Sequence, residues 1–419
     1  MLNHKNGKPQ AALAGLRVLD LTGNSLQYCG KLFAQMGAEV ILIEPVSGAA
    51  SRREGPFIDD RPHAENSLAF AYLNQGKKGI ALDIDAPEGQ IILKKLVRDV
   101  DLIIEGEKPG RMAERGLDHA SMKEIKPGLV YTSITPFGQS GPYGDHVSEE
   151  IVALALGGLL SLGGYPDTAP VAVYGGQAYL AGAQFAAVAS MAAILHQESL
   201  SEGILGQHID VSIQESVAMA LENAVQYVEL ENIVRKRQGS GQRQAGSGLF
   251  SCKDGLVYLM AGGIASSKFW HAAVDWLIEQ RVAGAEQLRD EEWAAQAYLA
   301  TDLAKQRFAA IFEPFAARHT KAELYAEGQK RRVPICPVST MADLLENPQM
   351  KYRNFFVETQ HSYTGRALKV PGAPYVFSET PWELGMPAPR LGEHTNEILS
   401  ALGYGCDEQA ALLRAGATA

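Results

Sequence analysis

Through about residue 135, short unbroken apolar runs alternate with stretches whose apolar positions recur every three or four residues. "RVLDLT" (Arg17–Thr22), "EVILIE" (Glu39–Glu44) and "GIALDI" (Gly79–Ile84) are β-rich runs, and "DLIIEG" and "LVYTSIT" are two more. Between them lie helical patterns: "KLFAQMG", closed by Gly37, and "EGQIILKKLVRD", opened by Pro87. Proline at a first helical position forfeits no hydrogen bond, and glycine after a last turn adopts the left-handed conformation that ends it. Apolar runs this continuous must be covered on both faces, which predicts a parallel sheet between two layers of helices. The expected fold class is α/β, with a doubly wound parallel-sheet domain.

Two long helices are expected next, at about 149–161 and 178–198. The second is dense in alanine, whose small side chain permits close approach to a neighbouring helix or sheet. "GQHIDVSI" (Gly206–Ile213) predicts another strand, and "ESVAMALENAVQYV" a helix after it. The pattern then changes. "RQGSGQRQAGSG" (Arg237–Gly248) is a Gly/Ser/Gln loop, and beyond it a strand, "GLVYLMAGG", precedes Trp-bearing helices. The tail is Pro-rich, with short strands such as "ALKVPGAPYVF". These changes divide the chain into 1–225, a large domain; 226–335, a smaller α+β domain; and 336–419, a C-terminal segment.

A chain of 419 residues is long enough for two buried cores. Its formal charge of -10 argues against nucleic acid as a partner, because phosphate contact needs clustered Lys and Arg. The densest basic cluster, "RKRQ" at Arg235–Gln238, reads as a solvated helix end. "IVALALGGLLSLGG" is too short and too rich in glycine to span a membrane, so no membrane partner is expected. The first twelve residues are polar and lack an apolar signal core, which predicts a cytoplasmic protein. Cys29, Cys252, Cys336 and Cys406 are far apart, a usage that favours reduced thiols over disulfides or a metal site.

Local chemistry is sparse. A dinucleotide site needs a glycine-rich turn after the first strand, and "TGNSLQYCG" lacks that spacing, although Glu44 ends the second strand where a ribose-binding acid would sit. "GSGQRQAGSG" has three readings: linker, phosphate cradle or mobile lid. Gly239, Gly241, Gly246 and Gly248 would give any of them its backbone freedom. His394, beside Glu393, suits a cap or local hydrogen bond, and His208 lies in a strand. No GxSxG elbow occurs, and His, Cys and acids do not cluster at ligand spacings. Asp167 in "GGYPDTAP" is explained by turn chemistry, and Glu149 and Glu150 by the helix dipole they open.

Seven stretches in unbroken order go further. They are "LAGLRVLDLT", "MGAEVILIEP", "LNQGKKGIALDIDAPEG", "KPGLVYTSITPFGQSGPYGD", "GQHIDVSIQESV", "VPICPVSTMADLLENPQM" and "LGEHTNEILSALGY". Together they resemble class III CoA-transferases, the family that includes carnitine dehydratase-like proteins and α-methylacyl-CoA racemases. The resemblance implies a large domain formed by both chain ends, a small domain between them, and an interlocked dimer. It implies a coenzyme A thioester as substrate and no tightly bound cofactor. In such transferases an aspartate attacks the thioester carbonyl, giving a mixed anhydride and CoA thiolate.

That aspartate usually precedes a glycine by four positions, after a "PDxxP" turn and a short strand. "YPDTAPVAVYGGQAYLAG" keeps the frame with Gly182 as the glycine, and the matched nucleophile position holds Ala178. Further departures accompany it. Glu149 stands where the racemase branch has a histidine, Gly106 and Glu107 replace an asparagine and an aromatic residue, and Pro45 follows the second-strand acid. Lys77 and Lys78, with Asn74 in the same stretch, match basic CoA-binding positions, and the glycine loop becomes a flap.

The resemblance therefore implies a non-catalytic subunit of a heteromeric CoA-transferase, whose partner is a paralogous subunit carrying the aspartate. Among heteromeric members it is similar to the aspartate-lacking kind that serves succinyl-CoA and benzylsuccinate in anaerobic aromatic degradation. One alternative is a self-sufficient acyl-CoA isomerase, lyase or dehydratase with Tyr179, Glu149 or Asp167 as acid or base. A second is a regulatory protein that binds CoA esters.

Overall fold

The structure, a computed structural model, describes residues 11–199, 205–239, 241–262 and 266–419. Six strands pair side by side, all parallel: β1 (Arg17–Leu21), β2 (Glu39–Glu44), β3 (Lys78–Ala81), β4 (Leu102–Glu105), β5 (Val130–Thr135) and β6 (His208–Ser212). Their order, β3-β2-β1-β4-β5-β6, reverses direction between β1 and β4. That order is the dinucleotide-fold arrangement, whose switch point opens a crevice at the carboxyl ends of the strands.

The helices of this part are α1 (Tyr28–Ala34), α2 (Leu68–Leu73), α3 (Pro87–Val97), α4 (Arg111–Glu114), α5 (His119–Ile125), α6 (Glu150–Leu156), α7 (Gln177–Ser199), α8 (Ile213–Ala218) and α9 (Ala224–Glu231). Period-two alternation along each strand splits the core into two layers. Val18, Leu102 and Ile104 pack with Phe33 of α1 and Ala183 and Ala186 of α7. Leu19 and Ile103 face the other way, toward Leu93 of α3, Met122 of α5 and two C-terminal helices, Thr395–Ala401 and Cys406–Arg414.

By length and composition α7 could cross a membrane. Its alanine-rich face instead lies on β5, β6, α1 and α8, where small side chains allow close packing. The helix expected over 149–161 stops at Leu156, because Gly157 and Gly158 follow. A Cβ on Gly157 would meet Val217 at 2.6 Å, and Gly158 takes φ +86°. The helix expected after β6 is also broken. α8 and α9 are separated by Glu222, whose φ of +44° no helical residue adopts.

The chain forms two compact units. The larger holds the described residues of Met1–Ser161, Ala172–Val234 and Tyr352–Ala419, so both chain ends build it. His394 helps close it: its Nδ1 accepts from the Gly79 amide at 3.1 Å, a tertiary bond, with no side-chain cap on its own helix. The smaller unit holds Leu162–Val171 and Arg235–Lys351, against the 226–335 expected. Leu162–Val171 joins it because the Arg237 guanidinium donates to the carbonyls of Tyr165 and Thr168, at 3.0 and 3.1 Å.

Within the smaller unit, the antiparallel strands β7 (Ser247–Cys252), β8 (Gly255–Met260) and β9 (Ile335–Pro337) carry an aromatic core with Trp270, Trp293, Phe250 and Phe308. Gly246 and Gly248 belong to this packed part, not to a mobile flap. A Cβ on Gly246 would sit 3.0 Å from Trp270, and one on Gly248, inside β7, 2.7 Å from the Gln242 backbone. Gly239 and Gly241 lie in the exposed part of the loop.

Candidate active site

α7 opens at Gln177, directly after Gly175 and Gly176. Gly175 has φ +83°, and a Cβ on Gly176 would lie 2.5 Å from Ser25 Oγ, so glycine is required for this approach to the loop after β1. The first amides of a helix have no acceptor within it. Here Glu150, in the first turn of α6, supplies one. Its Oε1 accepts from the Ala178 amide at 2.7 Å and its Oε2 from the Tyr179 amide at 3.2 Å. A carboxylate in this position also meets the positive end of the α7 dipole.

Ala178 is wholly buried and packs in the apolar layer that includes Leu154 and Ala183. Its methyl group has no lone pair to attack a carbonyl and no proton to give. The surroundings are anionic. Burial pushes the Glu150 carboxyl up, against the amides of Ala178, Tyr179 and Gln177 that hold it down. Glu54 is also raised, by burial and then by the charge of Glu149. The Tyr179 phenol is raised by burial and by Glu149, Glu150 and Glu54, and it donates to the Ser148 carbonyl at 3.5 Å. Tyr179 and Glu149 thus share one corner, whereas Asp167 is an exposed residue of the smaller unit.

The expected CoA-binding residues part company. Lys77 is fully buried, and its Nζ donates to Asp20 Oδ2 at 2.7 Å, the Gln27 carbonyl at 2.7 Å and Asn74 Oδ1 at 2.9 Å. All three ammonium protons have acceptors, so Lys77 and Asn74 are core residues, not open ligands for a phosphate. Burial lowers the Lys77 ammonium, opposed chiefly by Asp20. Lys78 keeps 30% of its side chain exposed and bridges Glu39 at 3.3 Å and Glu397 at 2.8 Å.

A cavity of about 180 Å³ lies at the carboxyl ends of β1, β2 and β3, lined among others by Thr22, Pro45, Asp83, Asp85, Glu107 and Arg115. This is the crevice where a fold of this order binds nucleotides. Its lining is acidic, and the one arginine is engaged by Asp85 at 2.8 Å and Glu107 at 3.4 Å. Glu44 is not free for a ribose, because Arg52 holds it in a buried fork at 2.6 and 2.8 Å. The sequence reading missed the role of Glu150: the local pattern gave only an acid at a helix start, and its partner amides lie 28 and 29 residues away.

Comparison with known proteins agrees with this frame. The family model for CoA-transferase family III matches residues 13–395. The chain is 37% identical over 402 residues to subunit BbsE of succinyl-CoA:(R)-benzylsuccinate CoA-transferase from Thauera aromatica, covering 96% of this chain and 97% of that one. It is 28% identical to the beta subunit of succinyl-CoA–L-malate CoA-transferase from Chloroflexus aurantiacus, covering 95% of each. The crystal structure of a CaiB/BaiF family protein from Brucella suis matches with a TM-score of 0.80 at 26% identity, over 94% of this chain and 100% of that chain.

Proposed function

The chain belongs to CoA-transferase family III, and on that premise we propose that it is the non-catalytic subunit of a heteromeric transferase whose paralogous partner carries the nucleophilic aspartate. Ala178 carries the reading. In the aspartate route a carboxylate oxygen bonds to the thioester carbonyl carbon and the C–S bond breaks, giving a mixed anhydride and CoA thiolate. The thiolate then attacks the aspartyl carbonyl and expels the donor acid; the acceptor carboxylate displaces CoA from the aspartyl thioester as a new anhydride, and CoA attacks the acceptor's carbonyl and frees the aspartate. A methyl group cannot begin that sequence, and Glu150 already holds the amides that surround the position. The acidic lining of the strand-end crevice also supports a CoA site unsuited to the phosphates of the coenzyme.

Surface chemistry supports the partner. None of the residues of α9 is buried, and Val225, Leu230 and Val234 stand exposed along it and just beyond. The outer face of α7 presents Phe185, Val188 and Leu195 at helical spacing. Exposed apolar side chains grouped on a helix in this way are a common mark of an interface, and an interlocked heterodimer would cover them. Relatives named for succinyl-CoA support that donor, and the BbsE relative supports benzylsuccinate as the acceptor acid.

The test is CoA transfer from succinyl-CoA to (R)-benzylsuccinate by the chain purified alone and co-expressed with an aspartate-bearing paralogue. The mixture should turn over, and should stop when the paralogue's aspartate is replaced. Turnover by the single chain overturns the proposal. The anionic corner of Tyr179 and Glu149 favours a second reading, an acyl-CoA isomerase, lyase or dehydratase using those groups. Tyr179→Phe and Glu149→Gln would then each abolish turnover of a CoA ester, and undiminished activity in both would dismiss it.

A further inference from the structure

α1 and α2 are joined through a buried amine. Lys31, in the middle of α1, is 2% exposed. Its Nζ donates to the Tyr72 carbonyl in the last turn of α2 at 2.7 Å and to Gln75 Oε1, just beyond that helix, at 3.4 Å. It stands 3.1 Å above the centre of the Tyr72 ring. Gln35, just past α1, donates to the same Gln75 oxygen at 3.5 Å. The polar partners of Lys31 are thus two neutral oxygens and a ring face. Among the described residues it forms no ion pair with a carboxylate.

The groups around it do not help it hold a proton. Lys77 is also buried, Asp20 is committed to it at 2.7 Å, and the Lys77 charge opposes a proton on Lys31. Cys29, the other titratable side chain on this stretch of α1, has its thiol raised by burial. The rest are phenols: Tyr28 of α1 stacks on Tyr72 with ring centres 6.4 Å apart, and Tyr375 acts on Tyr28 from the C-terminal segment. Burial raises all three, so they are neutral near pH 7. Glu383, whose amide donates to the Gln35 carbonyl at 3.3 Å, is itself exposed. An ammonium buried without a counter-ion is far less stable than a neutral amine, and a ring face offsets only part of the difference. Burial, and then Lys77, lowers the Lys31 ammonium from 10.5 to about 6. The neutral amine has two protons to give, and two oxygens receive them.

α2 carries this contact toward the candidate site. Its cap, Ser67, shares its hydroxyl proton between the carbonyls of Ser51 and Glu54, at 2.8 and 2.7 Å. Glu54 is one of the acids that raise the Tyr179 phenol. The helix is six residues long, so one end meets Lys31 and the other meets the anionic corner. We propose that Lys31 is an acid-sensitive latch: the free amine ties the last turn of α2 to α1, and uptake of a proton sends the side chain to water and frees that end of α2. A third proton has no oxygen to receive it in this place, and the flexible four-carbon stem can carry the ammonium out. Release then loosens the contact between Ser67 and Glu54 at the other end of the helix. The latch does not involve position 178, so it stands whether or not the chain lacks catalytic activity.

The experiment is urea unfolding of the full chain and of Lys31→Met, followed by circular dichroism between pH 6.5 and 8.5. Between about 6 and 10.5 the unfolded chain holds a proton on this amine that the folded chain lacks, so stability rises with pH. The wild-type folding constant should rise about tenfold per pH unit relative to the variant. Other titrating groups are common to both chains and cancel. Hydrogen–deuterium exchange of peptides from α1 and α2, corrected for the intrinsic rate, gives a local reading. Wild-type protection should be about tenfold lower at pH 5 than at pH 7.5, and level in Lys31→Met. The same pH dependence in both chains, or equal wild-type protection at the two pH values, overturns the assignment. The wild-type exchange needs no variant, so it keeps the test decisive if Lys31→Met fails to fold.

Discussion

Replacing Ala178 with aspartate puts a carboxylate at the position proposed to match the family's nucleophile and sets it beside Glu150. Glu150 Oε1 lies 2.7 Å from the Ala178 amide nitrogen, so the introduced carboxylate falls on the order of 4–5 Å from it. Two unit charges at ~4.5 Å repel by about 4 kcal/mol at an effective dielectric of ~20. Position 178 is fully buried, so overpacking adds about 1–3 kcal/mol, while the helix dipole returns only ~0.3–1 kcal/mol. Ala178→Asp should therefore destabilise the larger unit by about 4–7 kcal/mol, or by less where one carboxyl takes up a proton. Glu150→Gln removes the repulsion and keeps an oxygen for one amide, at a cost of about 1 kcal/mol alone. Urea unfolding of the four-member cycle, followed by circular dichroism, should give a favourable coupling of about 2–3 kcal/mol in the double variant. Additivity within ~0.5 kcal/mol would refute the clamp. Ala178→Asp alone should yield no transferase turnover.

Two further expectations follow from the same structure. Burial raises Glu105 from 4.5 to about 7, so the folded chain keeps a proton there that the unfolded chain releases. The resulting stability is complete below pH 4.5 and declines as pH rises to about 7, by at most ~3 kcal/mol. Glu105→Gln should erase that decline, and a wild-type-minus-variant difference that is the same in urea titrations at pH 5 and pH 8 would contradict it. On the outer face of α7, Val188 is 69% exposed. Val188→Glu should leave the melting temperature of the isolated chain nearly unchanged and weaken association with the paralogue at least tenfold in sedimentation, and unaltered association would remove α7 from the interface.

The parallel sheet was legible because its strands are continuous apolar runs, which only two-sided burial explains. β2 begins and ends where the pattern places it, and α3 opens at Pro87. What local pattern could not show was pairing over long separations. Lys77 reads as a CoA-binding position, yet it forms a fully buried pair with Asp20, 57 positions away. His394 reads as a cap, but it bonds to Gly79 across 315 positions and ties the C-terminal segment to β3. The single helix expected after β6 failed at Glu222, where nothing in the composition signals a left-handed residue. At the candidate site, the alanine at position 178 and the frame around Gly182 were legible in the sequence. The carboxylate that accepts from the first amides of α7 was not, because Glu150 comes from another helix.

The most direct test of the central claim is to trap the anhydride. The chain and its aspartate-bearing paralogue are incubated together with succinyl-CoA and then with hydroxylamine, which leaves a hydroxamate on an activated protein carboxylate. Peptide mass spectrometry then assigns the modified residue. The account predicts modification of the paralogue's aspartate and none in this chain. A hydroxamate on Glu150, or on any other carboxylate of this chain, would contradict it.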